Sequence, residues 1–80
     1  MEKRIGTVTL LLSDRGRSAE INNIISEFAD IILCRQGLPF HDREIAVISL
    51  IVEGPPDRIN ALTGRVGRLQ GVHSKAVLAS

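Results

Sequence analysis

Eighty residues, 44% hydrophobic and 24% charged with a net charge of +1, specify one small globular domain and exclude a disordered chain. Two Phe, no Trp and no Tyr exclude the aromatic platforms on which single-stranded nucleic acids stack. Ten Lys and Arg scattered among nine carboxylates make no basic stripe; Arg15 with Arg17 and Arg65 with Arg68 come nearest, and each pair reads as solvated surface arginine. A domain of this size buries only about 60–65% of its unfolded surface, so a partner subunit is an attractive source of further burial.

The chain spells strand, helix, strand, strand, helix, strand. Strand one spans about Arg4 to Leu12, and Ser13-Asp14 offers an N-cap for the first helix. Ile21, Ile24, Ile25 and Phe28 then recur at helical spacing as one apolar stripe, opposite Glu20, Asn23 and Glu27. Asp30 marks the exit, strand two takes Ile31 to Arg35, and Gly37 to Asp42 reads as a hairpin loop punctuated by Gly37 and Pro39. Strand three is Glu44 to Glu53. Gly54-Pro55-Pro56-Asp57 opens the second helix, where proline is tolerated because a first-turn amide has no intrahelical acceptor. Ile59, Leu62, Val66 and Leu69 form its buried stripe, and Gly71 takes the position of a terminating glycine with positive φ before strand four, Val72 to about Leu78. Gly64 and Gly67 each cost ~1 kcal/mol relative to Ala inside a helix, and close packing against a neighbouring element is the expected compensation.

Two crossover helices and one hairpin in so short a chain predict an α+β, ferredoxin-like βαββαβ domain over residues 1–80: a four-stranded antiparallel sheet with both helices on one face. Strands one and three are largely apolar on both of their faces, with a few hydroxyls (Thr7, Thr9 and Ser49) on the second. The face that the helices leave uncovered is then too apolar for a monomer to hold in water. A homo-oligomer, dimer or tetramer, is expected, formed through that second face or through strand edges.

In this topology the loop after strand one, the central hairpin and the turn before strand four share one edge of the molecule, gathering Asp14, Arg15, Gly16, Arg17, Gln36, His41, Arg43 and His73. A loop of Asp-Arg-Gly-Arg ahead of a helix could take a carboxylate on its backbone amides with arginine assistance, although an ordinary cap and turn needs the same residues. Cys34, His41 and His73 carry donor types suited to zinc, nickel or copper, yet no pair has ligand spacing and strands two and four lie at opposite sheet edges. The expectation is no metal and no other cofactor, with Cys34 a buried structural residue and the histidines in turns. No base is spaced to activate Cys34, so an enzyme is not expected. Cys34 is the single cysteine, no apolar run reaches the ~18 residues of a membrane span, and no cleavable leader follows Met1-Glu2-Lys3-Arg4, so no membrane association is expected and the cytoplasm is the expected compartment.

Ile32-Leu33-Cys34-Arg35-Gln36-Gly37-Leu38-Pro39 and Ala61-Leu62-Thr63-Gly64-Arg65-Val66-Gly67-Arg68-Leu69-Gln70-Gly71-Val72, with strand one, Asp14-Arg15 and the first helix, resemble a family of short bacterial proteins described as regulators of the iron-only hydrogenase system. The resemblance covers nearly the whole chain. That family's fold is similar to ACT domains and to the C-terminal regulatory domain of nickel-responsive repressors, which implies a stand-alone ACT-like module attached to hydrogenase expression or maturation. ACT domains that bind amino acids often use a glycine after an aspartate in the first strand–helix loop. Asp14-Arg15-Gly16 looks like that loop, with the glycine one place early and without the usual proline. The repressors' histidine and cysteine cluster has no matching set here, and their DNA-binding segment is absent, so direct DNA binding is not expected and regulation would pass through a partner. The leading expectation is a ligand-sensing regulatory module with Asp14, Arg15, Gly16 and Arg17 as effector contacts. The alternative is a protein-interaction or assembly factor for metalloenzyme maturation, with no small-molecule ligand, that captures a protein partner on its helix face or a sheet edge.

Overall fold

The structure, a computed structural model, describes residues 2–79 apart from the side chain of Arg15. Its elements are β1 (Arg4–Leu12), α1 (Ser18–Glu27), β2 (Ile32–Phe40), β3 (Ile45–Gly54), α2 (Pro56–Gly67) and β4 (Val72–Leu78), with short 3-10 turns at Arg15–Arg17 and Ala29–Ile31. The strands form one antiparallel sheet in the order β2-β3-β1-β4, with β1 central and paired to both β3 and β4. This is the expected βαββαβ arrangement.

Alternation along the strands sets the core. Val8, Leu10 and Leu12 of β1 and Leu50 and Val52 of β3 turn to the helix side and are buried. Ile21, Ile24 and Ile25 from α1, Phe28 at its C-cap, and Ile59, Leu62 and Val66 from α2 meet them there, so the first apolar stripe and most of the second are core. Leu69, the last residue expected in the second stripe, is half-buried beyond the helix end. The helix layer does not reach across the whole sheet. On β2 only Ile32 is even half-buried, so the far edge of the sheet is open on the helix side as well.

Besides a one-residue shift of β3, several boundaries depart from expectation. β2 runs to Phe40 rather than ending at Arg35, since Pro39 sits on an edge strand, where a missing amide need not break the sheet. Ile31 belongs to a 3-10 turn and packs in the core. The first helix has Arg17, not Ser13 or Asp14, at its N-cap, because a 3-10 turn intervenes. The second helix ends with Arg68 at its C-cap, so Gly71 (φ 81°) serves the turn into β4 rather than the helix terminus. A bulge between Ile32 and Cys34 leaves Leu33 out of register and sets Cys34 on the open face beside Ile51.

A charged seam joins the helices. Arg65 donates two hydrogen bonds to the Glu27 carboxylate, at 2.7 and 3.1 Å, and Arg58 donates to Asp30. Both guanidinium groups also lie over the ring of Phe28, at 4.5 Å for Arg58 and 5.9 Å for Arg65. The ion pairs are largely exposed and contribute little alone; the Phe28 ring beneath them is buried in the core.

Candidate functional site: the loop-bearing end of the sheet

Pairing of Leu12 with both Ala46 and Val72 brings three connections to one end of the sheet: the β1–α1 loop, the β2–β3 turn and the α2–β4 turn. Ser13 fastens two of them, its amide and its hydroxyl both donating to the Gly71 carbonyl, at 2.8 and 3.1 Å. Gly71 needs a glycine twice over. Its φ is positive, and a Cβ there would lie 2.7 Å from the Cβ of Asp14. Asp14 then folds the loop on itself: Oδ1 accepts the Gly16 amide at 3.0 Å, and its carbonyl accepts the Arg17 amide at 3.2 Å.

Arg17 donates to Glu20 at 2.7 Å, and this bond holds the guanidinium above its ordinary pKa. Its Nε is enclosed without a hydrogen-bond partner, 3.9 Å from Oδ2 of Asp14. The Gly16 and Arg17 amides are therefore engaged within the loop, and the arginine leans along α1 rather than over it. Beside the loop is a cleft of about 310 Å³ lined by Ser13, Asp14, Gly16 and Glu44. Glu44, absent from the sequence-based set, enters because the hairpin turn bends over the loop; it is the one non-glycine residue with positive φ (53°) among the described residues. Two acidic residues lining one cleft suit a cationic or amine-bearing group better than an anion.

The other candidates are dispersed. Gln36 pairs with Ser49 in the middle of the sheet, well away from this end. Cys34 is exposed on β2 rather than buried, and His73 pairs with Leu11 on β4 rather than lying in a turn; three strand spacings, roughly 14 Å, separate their strands. His41 is in the hairpin turn. Among the described residues no three His, Cys, Asp or Glu side chains are placed to hold a metal ion, and no helix is long and apolar enough to cross a membrane.

The second helix supplies a further groove. Ser74 of β4 donates to the Thr63 carbonyl at 2.8 Å, and Gly67 permits that approach, since a Cβ on it would stand 2.7 Å from the Ser74 hydroxyl. Gly64 meets nothing within 4 Å. It borders an open groove of about 530 Å³ between α2 and the edge strand β4.

Sheet order, paired crossover helices and a structured first loop together define an ACT-like domain. Consistent with this, the fold overlays the ACT domain of a GTP pyrophosphokinase from Chlorobium tepidum with a TM-score of 0.79 at 19% identity, covering 95% of this chain and 100% of that one. The C-terminal domain of the MgtC protein from Mycobacterium tuberculosis shares the fold at a TM-score of 0.75 and 10% identity, over 95% and 87% of the two chains. Within that class the chain belongs to the TM1266-like family, described as "Iron-only hydrogenase system regulator, putative", which residues 4–76 match. The uncharacterized protein TM1266 from Thermotoga maritima is 32% identical, with a TM-score of 0.92 over 99% of this chain and 100% of that one. No curated protein matches the sequence.

Proposed function

We propose that this chain is a non-enzymatic ACT-like sensor of the iron-only hydrogenase system, acting as a homo-oligomer and binding a small amine-bearing effector at the loop end of the sheet. The observation that carries the reading is the cleft shared by Asp14 and Glu44. It has the volume of a small metabolite, and its position links the β1–α1 loop, the hairpin turn and Gly71, so occupancy would bias all three connections at once. Asp14, Gly16 and Glu44 are the proposed contacts, with Arg15 and Arg17 flanking them.

The test is a thermal-unfolding screen against amino acids, polyamines, nucleotides and divalent metals. A ligand at a hundred times its Kd adds ~2.7 kcal/mol, worth many degrees in so small a domain. Asp14→Asn keeps an oxygen to accept the Gly16 amide while removing the charge. It should abolish the shift without unfolding the loop. A shift that persists in Asp14→Asn would place the effector elsewhere.

The second reading is a partner-binding assembly factor, and the groove beside Gly64 favours it. A helix-interior glycine with open space above it, next to the free edge of β4, is a place where an extended segment of another protein could lie. Silence across the ligand panel, together with loss of partner capture in Gly64→Leu, would favour this reading.

A further inference from the structure

The open face of the sheet carries more order than its apolarity alone requires. Strand register sorts it into rows that run across all four strands. Gln36, Ser49, Thr9 and Lys75 form a polar row at the centre. On one side lie Leu38, Val47, Leu11 and His73; on the other lie Cys34, Ile51, Thr7 and Val77. Leu38 is 57% exposed and Val77 68% exposed, so in a single chain these apolar rows stand in water.

We infer that this face is covered by a second copy of the chain, packed sheet on sheet about a two-fold axis parallel to the strands. The inference rests on the homo-oligomeric part of the function proposed above and gives it a geometry.

Size, polarity and charge each favour a second copy. Size comes first: with strands ~4.8 Å apart and same-face residues ~6.8 Å apart, the full rows and the partial rows beyond them project over roughly 500 Å². That is the scale of one side of a standard interface once side-chain relief is added, about 800 Å² of accessible surface per partner, and it is at the upper end of what monomers expose. The second is the polar row. When two sheets pack with their strands aligned, each row meets its own counterpart or its mirror, so the central polar row meets a polar row. In orthogonal packing it would instead run along β1 or β3, over Leu11 and Ile5, and leave Gln36 and Lys75 without partners.

The third is charge. A two-fold axis running across the strands sets every strand against its own copy, so Lys75 would face Lys75 of the second copy. An axis along the strands sets β2 against β4 and β3 against β1. Lys75 then faces Gln36 of the second copy, Ser49 faces Thr9, and Val47 faces Leu11. None of the three full rows holds a carboxylate that could offset a lysine pair, so the second arrangement is the favourable one. The surface relief agrees with it: a hollow of about 330 Å³ lined by Gln36, Leu38, Phe40 and Val47 lies on the β2 side, where His73 and Lys75 of the second copy would enter.

Sedimentation velocity on the full chain and two variants tests this. The unmodified protein should sediment as a dimer or larger at micromolar concentration. Val47→Lys, on the open face and outside the core, should reduce it to a monomer with an unchanged circular dichroism spectrum. Gln36→Glu should tighten association by up to about tenfold, because the new carboxylate faces Lys75, and added salt should erase the gain. With the axis across the strands the same substitution sets Glu against Glu and weakens association, which would overturn the proposal. An oligomer that survives Val47→Lys would overturn it in favour of pairing at strand edges. A monomer at all concentrations would sink both this geometry and the homo-oligomeric clause, while leaving the Asp14 cleft to its own test. If Val47→Lys does not fold, the sign of the Gln36→Glu effect decides alone.

Discussion

Both faces of the sheet carry aliphatic residues, the open one with a polar row across its middle, and only one of them is filled. On the helix side Leu10 and Leu50 are fully buried, whereas their sequence neighbours Leu11 and Ile51 stay 40% and 42% exposed on the other. Apolar alternation on both sides of a strand therefore does not say how much of a domain its own chain can complete. Two ten-to-twelve-residue helices can cover one face and no more, and they leave all of β2 beyond Ile32 exposed. The second face is either a surface held in water at a cost or half of an interface.

Adjacent leucines give the sharpest way to break that contrast. Leu10→Ala should destabilise the domain by about 2–5 kcal/mol in urea unfolding, most of what a chain of this length possesses. Leu11→Ala should cost under about 1 kcal/mol when measured at monomeric dilution, and should show its larger effect in association. Equal losses at both positions would mean that the two faces are equally part of the folded monomer.

The loop end answers to a different residue. Gly71→Ala forces a positive φ on a residue with a Cβ and drives that Cβ toward Asp14, so a loss of about 1–3 kcal/mol is expected. The same change should weaken effector-dependent stabilisation, because it displaces the loop that carries the cleft.

Much of this was legible in the chain itself. The β1 alternation, the Ile21–Phe28 stripe and the Ile59–Val66 stripe each state a period, and those periods fix the elements and the buried face. What could not be seen was where backbone groups find alternative partners. Ser13-Asp14 looked like a helix cap because Asp and Ser serve caps and turns with the same oxygen; here Asp14 spends it on Gly16, and the helix starts three residues after Arg15. Gly37 and Pro39 looked like loop residues because both are punctuation in isolation, while an edge strand tolerates both. Glu44 carries no local signal of a site at all. Only the register that sets Leu12 against Ala46 brings the hairpin turn to Asp14, and register is a property of the whole sheet.

The two helix glycines sharpen the comparison between a filled and an unfilled surface on a smaller scale. Gly64→Ala should stabilise the chain by about 0.5–1 kcal/mol, since the methyl group enters open space and helix propensity improves. Gly67→Ala gains the same propensity but pushes against the Ser74 hydroxyl and its bond to the Thr63 carbonyl, so the net change should be near zero or destabilising. Urea midpoints for the pair measure the difference. Equal stabilisation would show that β4 can yield to α2 without loss.

The smallest expected effect concerns the seam between the helices. Hydrogen bonding from Arg65 holds the Glu27 carboxyl below its ordinary value of 4.5, with the Arg65 charge acting in the same direction and partial desolvation opposing. A carboxyl whose pKa is lowered by folding contributes fully above its unfolded pKa and loses that contribution as pH falls through the folded value. Both partners are solvent-exposed, so the contribution is slight and screened by salt. The stability difference between the unmodified chain and Glu27→Gln should therefore be small and constant from pH 8 down to about 5, then shrink below about 4.5. It should also shrink in ~1 M salt, where the Debye length is only about 3 Å. A difference that survived both acid and salt would belong to packing of the Glu27 and Arg65 stems over Phe28, and the seam would then be an extension of the buried face rather than a charged fringe on it.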